Sequence, residues 1–281
     1  MKRMIYRIAK LLNHNSFIGI ESGAKQECLI MGKGIAFGKK IGQTIEVPQD
    51  ARIYSLKELT DRGDAREIIN SVSPVCLELA NEILREAEAE FGDIDRSILF
   101  PIADHLDFAI RRLQRGEQIS NPLTEDIRIL FYKEYKVAGC IAPMLKEKFQ
   151  IELDEHETGY IALHVHSAIV DEKVSQAMEI ARTVRECISL VEKETGNSID
   201  VMSLAYNRLM NHVRYMVART IHGEKLKMNL NDYMSVKFPE AFNASERICR
   251  EMEKRLGLPM PDIEIGYLAM HLERMLDSET E

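Results

Sequence analysis

Residues 157–164, Glu-Thr-Gly-Tyr-Ile-Ala-Leu-His, return 107 positions later as residues 264–271, Glu-Ile-Gly-Tyr-Leu-Ala-Met-His. At the same offset His105 falls on His212, Arg112 on Arg219, Gly116 on Gly223 and Phe131 on Phe238. Ile102/Leu209, Leu106/Val213, Phe108/Tyr215, Ile110/Val217 and Tyr135/Phe242 keep their chemistry. A constant offset without a gap marks a duplication. Within it the apolar residues recur at helical spacing, as in Val75, Leu77, Leu79, Ala80, Ile83 and Leu84, or Leu99, Ile102, Leu106, Ala109, Ile110 and Leu113. Two tandem all-α helical-bundle domains are therefore predicted, at 66–172 and 173–281.

Upstream of the repeat the pattern changes. From Tyr6 to Leu56, short β-favouring runs (Tyr6–Leu12, Phe17–Glu21, Glu27–Met31, Thr44–Val47 and Arg52–Leu56) are punctuated by Asn13-His14-Asn15, Ser22-Gly23-Ala24 and Gly32-Lys33-Gly34. Such spacing predicts a small all-β antiparallel sheet domain over 1–60. The chain is thus multidomain, a sheet followed by two helical bundles. A core of this size is marginal, so the sheet is expected to dimerise or lean on a partner.

Charge follows the same division. The 281 residues carry a formal charge of −8, which on its own argues against a nucleic-acid binder. Residues 1–60, however, hold ten Lys/Arg against five Asp/Glu, and the remainder 27 against 40. A basic head on an acidic body points to a polyanion-binding module joined to something else. In the head, Asn13–Asn15 and the stretch Gly-Lys-Gly-Ile-Ala-Phe-Gly-Lys-Lys at 32–40 combine amides, glycines, three lysines and one aromatic. Lysines neutralise phosphates, and amides read base edges or 2′-hydroxyls. Two ordinary hairpin turns with solvated lysines account for the same residues.

Several classes are excluded. No apolar run reaches the roughly 18–20 residues that span a bilayer, and the start Met1-Lys2-Arg3 is too charged for a signal peptide, so a cytoplasmic protein without membrane insertion is expected. Five cysteines (28, 76, 140, 187, 249) form no CxxC or Cys/His cluster and read as reduced. GxxxxGK[ST], GxGxxG, HExxH and GxSxG are all absent.

The duplication also sorts the histidines. His14, His156, His166 and His222 have no histidine counterpart at the 107-residue offset, whereas His105/His212 and His164/His271 do. A single helical His is usually a satisfied boundary residue, but a bundle core gives no reason to repeat imidazole at the same two places. His164-x-His166 could be a metal pair, yet positions i and i+2 of a helix point about 200° apart. No metal and no cofactor is expected. Nor do Ser or Cys with an orienting acid flank both copies, and no enzyme is expected. What remains is a pair of imidazoles per domain able to take a proton or accept a phosphoryl group.

These segments carry a resemblance. Ile8-Ala9-Lys10-Leu11-Leu12-Asn13-His14-Asn15 and the 32–40 loop resemble the co-antiterminator RNA-binding domain of bacterial antiterminators. Asp104-His105-Leu106 with Phe108-Ala109-Ile110 and Arg112, and Gly159 to His164, resemble its first phosphotransferase regulation domain. Arg208, His212-Val213-Arg214-Tyr215 and Gly266 to His271 resemble the second. The glucose-responsive subgroup is the most similar.

The resemblance implies a homodimer whose small domain binds an imperfect hairpin in a leader mRNA. That hairpin excludes an overlapping terminator, and transcription continues into sugar-transport genes. By position, Lys10, Asn15, Gly32, Lys33, Phe37 and Gly38 match the RNA-contacting loops. His105, His164, His212 and His271 match the phosphorylated histidines. The family pattern further implies inhibition by a sugar-specific enzyme II permease through the first regulation domain and activation by the phosphocarrier HPr through the second. Two other readings are a DNA-binding activator carrying the same regulatory domains, which has no room for a helix-turn-helix before residue 60, and a histidine-metal enzyme.

Overall fold

A computed structural model describes residues 4–277 except 24, 58, 61, 62, 171, 197, 198, 200–202 and 225. Met1-Lys2-Arg3 and Ala24, both invoked above, lie outside the described residues. The chain divides into two compact units, residues 1–121 with 133–174, and residues 122–132 with 175–281.

The first unit begins with an antiparallel five-stranded sheet: β1 (Ile5–Asn13), β2 (Ser16–Glu21), β3 (Glu27–Met31), β4 (Thr44–Glu46) and β5 (Arg52–Ser55), in the order β4-β1-β2-β3-β5. The five predicted runs are these strands. Period-two alternation buries Tyr6, Ile8, Phe17, Cys28, Ile30 and Ile45 in one cluster, closed by Ala36 and Val47 from the loops. β1 slips by one residue between Ile8 and Lys10, a bulge that changes which face the following side chains take. A minor hairpin, β6 (Leu59–Thr60) and β7 (Gly63–Asp64), leads into the helices.

The helices of this unit are α1 (Ala65–Ser71), α2 (Pro74–Phe91), α3 (Leu99–Gln114), α5 (Tyr132–Ala138), α6 (Ala142–Phe149) and α7 (Glu155–Ile169), while α4 (Thr124–Leu130) belongs with the second unit. Caps fix their starts: the side chains of Asp64, Ser73 and Asp154 accept from the backbone of Arg66, Val75 and Glu157. α2 buries Cys76, Leu77, Leu79, Ala80, Ile83, Leu84 and Ala87 on one face. The small sheet does lean on a partner, and that partner is α2 and its neighbours. Tyr54 donates from its hydroxyl to Asn81 at 2.7 Å, its ring meets Phe100 edge-on at 6.4 Å, and Arg52 pairs with Glu88.

The second unit contains α4, α8 (Val174–Thr195), α9 (Leu204–His222), α10 (Asn231–Lys237), α11 (Pro239–Leu256) and α12 (Ile263–Asp277). Ser203 caps α9, and α9 and α11 end on Gly223 and Gly257 in the left-handed conformation. α4 joins this unit through Asp126, whose buried carboxylate pairs with Arg185 of α8 at 2.6 Å, and through the Leu130 carbonyl, which accepts from Arg214 at 2.9 Å. All five cysteines are free, and no helix among the described residues is long and apolar enough to cross a membrane.

Candidate functional site

Two kinds of site stand out, a pair of linked loops on the sheet and one histidine pair in each helical unit.

The loop Asn13–Asn15 is built by its own side chains. Asn13 Oδ1 accepts from the Asn15 backbone N–H at 2.8 Å and from the Ser16 hydroxyl at 2.9 Å, a self-made turn. It is also stitched to the 32–40 loop: Gly34 N–H donates to Asn15 Oδ1 at 2.8 Å, Gly32 N–H to the Asn15 carbonyl at 2.9 Å and Ala36 N–H to the His14 carbonyl at 3.0 Å. Phe37 stays 68% exposed with its ring edge-on to His14 at 5.3 Å. Gly34 and Gly38 sit at φ of 65° and 68°, where a side chain is strained. Asn15, Gly32, Lys33, Phe37 and Gly38 thus come together on one surface, with Lys33 exposed. Lys10 stands on β1, and its ammonium donates to Asn70 at 2.8 Å.

In the first unit His105 on α3 and His164 on α7 meet with ring centroids 5.4 Å apart, tilted by 47°. Behind them lies Glu157, 1% exposed, one oxygen 3.1 Å from His105 Nε2 and the other bound by Arg112. An ionised carboxylate only accepts, so the contact holds a proton on Nε2. Arg112 also donates to the Glu117 carbonyl at 3.0 Å. Phe108, one turn on from His105, is 65% exposed.

The second unit repeats the arrangement with one change. His212 on α9 and His271 on α12 stack at 4.3 Å and 24°. Arg219 takes both oxygens of buried Glu264, each at 2.8 Å, and His212 Nε2 is buried without a hydrogen-bond partner. Burial first, then His271 and Arg219, push the His212 pKa down to about 3, and burial with Arg274 and Arg208 lowers that of His271. Both imidazoles are therefore neutral at physiological pH, the form that carries a nucleophilic lone pair. A pocket of about 460 Å³ opens onto them, lined by Leu204, Asn207, Arg208, Asn211 and Tyr215. Gly266 lets α12 approach the start of α10, since a Cβ there would lie 2.6 Å from Asn231 Oδ1, the atom that accepts from the Gly266 N–H at 3.0 Å.

The four repeated histidines thus form two pairs. Among those without a counterpart, His166 Nδ1 contacts Glu134 at 2.9 Å and His14 rests against Phe37. No group of three or more His, Cys, Asp or Glu is placed to hold a metal among the described residues. The site candidates drawn from sequence left out Glu157 and Glu264. Their signal was present: a buried-type acid repeats 45 residues after a repeated arginine in both copies.

Comparison with known proteins agrees with this organisation. The CAT RNA binding domain family matches residues 6–62, and the PRD domain family matches residues 67–168 and 185–275. Transcription antiterminator LicT of Bacillus subtilis is 27% identical over 274 residues, covering 96% of this chain and 99% of its own. Protein GlcT of Staphylococcus haemolyticus is 26% identical over 279 residues, 95% of each chain. The beta-glucoside operon antiterminator of Dickeya chrysanthemi is 26% identical over 275 residues, 96% of each. A crystal structure of GlcT CAT-PRDI superposes with a TM-score of 0.50 at 28% identity, covering 59% of this chain and 99% of that one. The sheet with its linked loops and the twice-repeated histidine bundle together place the chain in the family that joins a CAT RNA-binding domain to PRD domains.

Proposed function

We propose that the protein is a transcriptional antiterminator: residues 1–60 bind a leader-mRNA hairpin, and regulation domains at 66–172 and 173–281 control that binding through phosphorylation of His105, His164, His212 and His271. Two observations carry this: the two polar loops join into one surface on the sheet, and an imidazole pair recurs in each helical unit. Asn15, Gly32, Lys33, Phe37 and Gly38 contact RNA there, with Lys10 on the adjoining strand. HPr and a sugar-specific enzyme II permease are the phosphoryl donors, and the protein acts as a homodimer.

The chemistry is that of a reversible charge switch. Attack by a neutral imidazole nitrogen on the donor's phosphoryl group forms an N–P bond, breaks the donor's own bond to phosphorus, and releases the acceptor's N–H proton as the donor side chain is freed. The acceptor gains up to about two negative charges by analogy with other phospho-residues. Arg208, on the pocket wall beside His271, is placed to pair with them. In the first unit the 107-residue counterpart of Arg208 is Pro101, which carries no charge, and the Glu157 carboxylate touches His105 itself, so added phosphate meets a carboxylate instead. Opposite regulatory signs then follow from different neighbours.

Phosphoenolpyruvate, enzyme I, HPr and a permease incubated with the full chain test the reading. Acid-labile label on the four histidines, with altered RNA binding in the same sample, supports it. Acid-stable label, or label that survives their joint replacement by Ala, refutes it.

A further inference from the structure

The loop that carries Asn13 and Asn15 does not end in open solvent. Both side-chain amides donate to the same oxygen of Glu78 on α2, each at 2.9 Å. The other oxygen of Glu78 accepts from Lys148 of α6 at 2.9 Å. The carboxylate is 16% exposed. Burial alone would raise its pKa, but the hydrogen bonds from Asn15, Lys148 and Asn13 outweigh burial and hold it below the usual value, so it is ionised at neutral pH. An ionised carboxylate offers the acceptor chemistry of a phosphate oxygen or a base carbonyl.

We infer that Glu78 is an intrachain competitor of RNA: it occupies the amides of Asn13 and Asn15, and RNA binding requires their release. This rests on the reading of residues 1–60 as the RNA-binding domain. Two charge-assisted hydrogen bonds must break, and a phosphate brought to the loop meets a fixed negative charge. The helix that carries Glu78 is tied to the first histidine pair. Ser73 N–H, at the start of α2, donates to Asp107 at 2.9 Å, and Asp107 lies two residues from His105 on α3. A shift of α3 therefore bears on the grip of Glu78 on the loop.

The full chain is titrated by fluorescence anisotropy with an RNA hairpin selected on the wild-type chain from a pool of randomised loops and bulges. Glu78→Gln, which removes the charge, and Glu78→Asp, which keeps it but withdraws it by one methylene, are each expected to tighten binding roughly 5- to 50-fold, the size of ordinary coupling between two sites. Glu82→Gln removes the same charge one turn along α2, where Glu82 pairs with Arg85, and is expected to change affinity by less than about 2-fold, as for a screened surface charge. The side-chain NH₂ resonances of Asn13 and Asn15 are expected to move in Glu78→Gln while the rest of the spectrum stays folded. Equal affinity of wild type and Glu78→Gln, or equal tightening by Glu82→Gln, overturns the inference alone. No RNA captured by any of the four chains overturns the RNA-binding reading and this inference with it.

Discussion

Glu157 holds His105 and Arg112 at once, with one oxygen 3.1 Å from the imidazole Nε2 and the other on the guanidinium, and all three groups are largely buried. Removing its charge strands Arg112 in the interior. Glu157→Gln is expected to lower unfolding free energy by about 3 kcal/mol, the usual cost of breaking a buried pair from one side. Urea denaturation at pH 7 measures it, and a loss under about 1 kcal/mol would contradict the role assigned to Glu157.

His212 couples stability to pH. Its folded pKa of about 3 lies below the ordinary 6.5, so the folded state binds fewer protons than the unfolded one. The stability it contributes is complete above pH 6.5 and is lost as pH falls from there toward 3. Between pH 7 and pH 5 the expected loss is about 1–2 kcal/mol. His212→Gln should flatten that part of the profile relative to wild type, and an unchanged profile would show that His212 is not desolvated.

Gly266 is a close-approach position. A Cβ would meet the Asn231 side chain at 2.6 Å and its backbone nitrogen at 2.9 Å. Gly266→Ala is expected to cost about 1–3 kcal/mol through overpacking. A melting temperature equal to wild type would show that α10 and α12 can separate freely.

Lys33 is exposed on the linked loops. If its ammonium neutralises one phosphate, Lys33→Gln weakens RNA binding and makes the negative slope of log affinity against log salt shallower by about 1. An unchanged slope would place Lys33 off the nucleic acid.

Gly34 has open space around it but a left-handed backbone. Gly34→Ala is therefore expected to cost about 1–2 kcal/mol from conformation alone. Equal stability by urea denaturation would mean that the loop relaxes to another turn.

Much of the architecture is legible in one dimension. The five strands follow from alternation and turn residues, and α2 and α3 from helical periodicity, because a local period reports which face is buried. The 107-residue offset makes His105, His164, His212 and His271 visible as pairs before any coordinate is known. Tertiary packing alone decided what surrounds them. The acids repeat with the arginines, yet only the folded chain gives one oxygen of Glu157 to His105 and both oxygens of Glu264 to Arg219. Likewise Asn13 and Asn15 read in sequence as a polar turn, and their hold on Glu78, more than 60 residues away, exists only when α2 is set against the sheet. Periodicity is a property of neighbours along the chain; which charges meet depends on angstrom-scale placement between elements distant in sequence, and no local pattern encodes it.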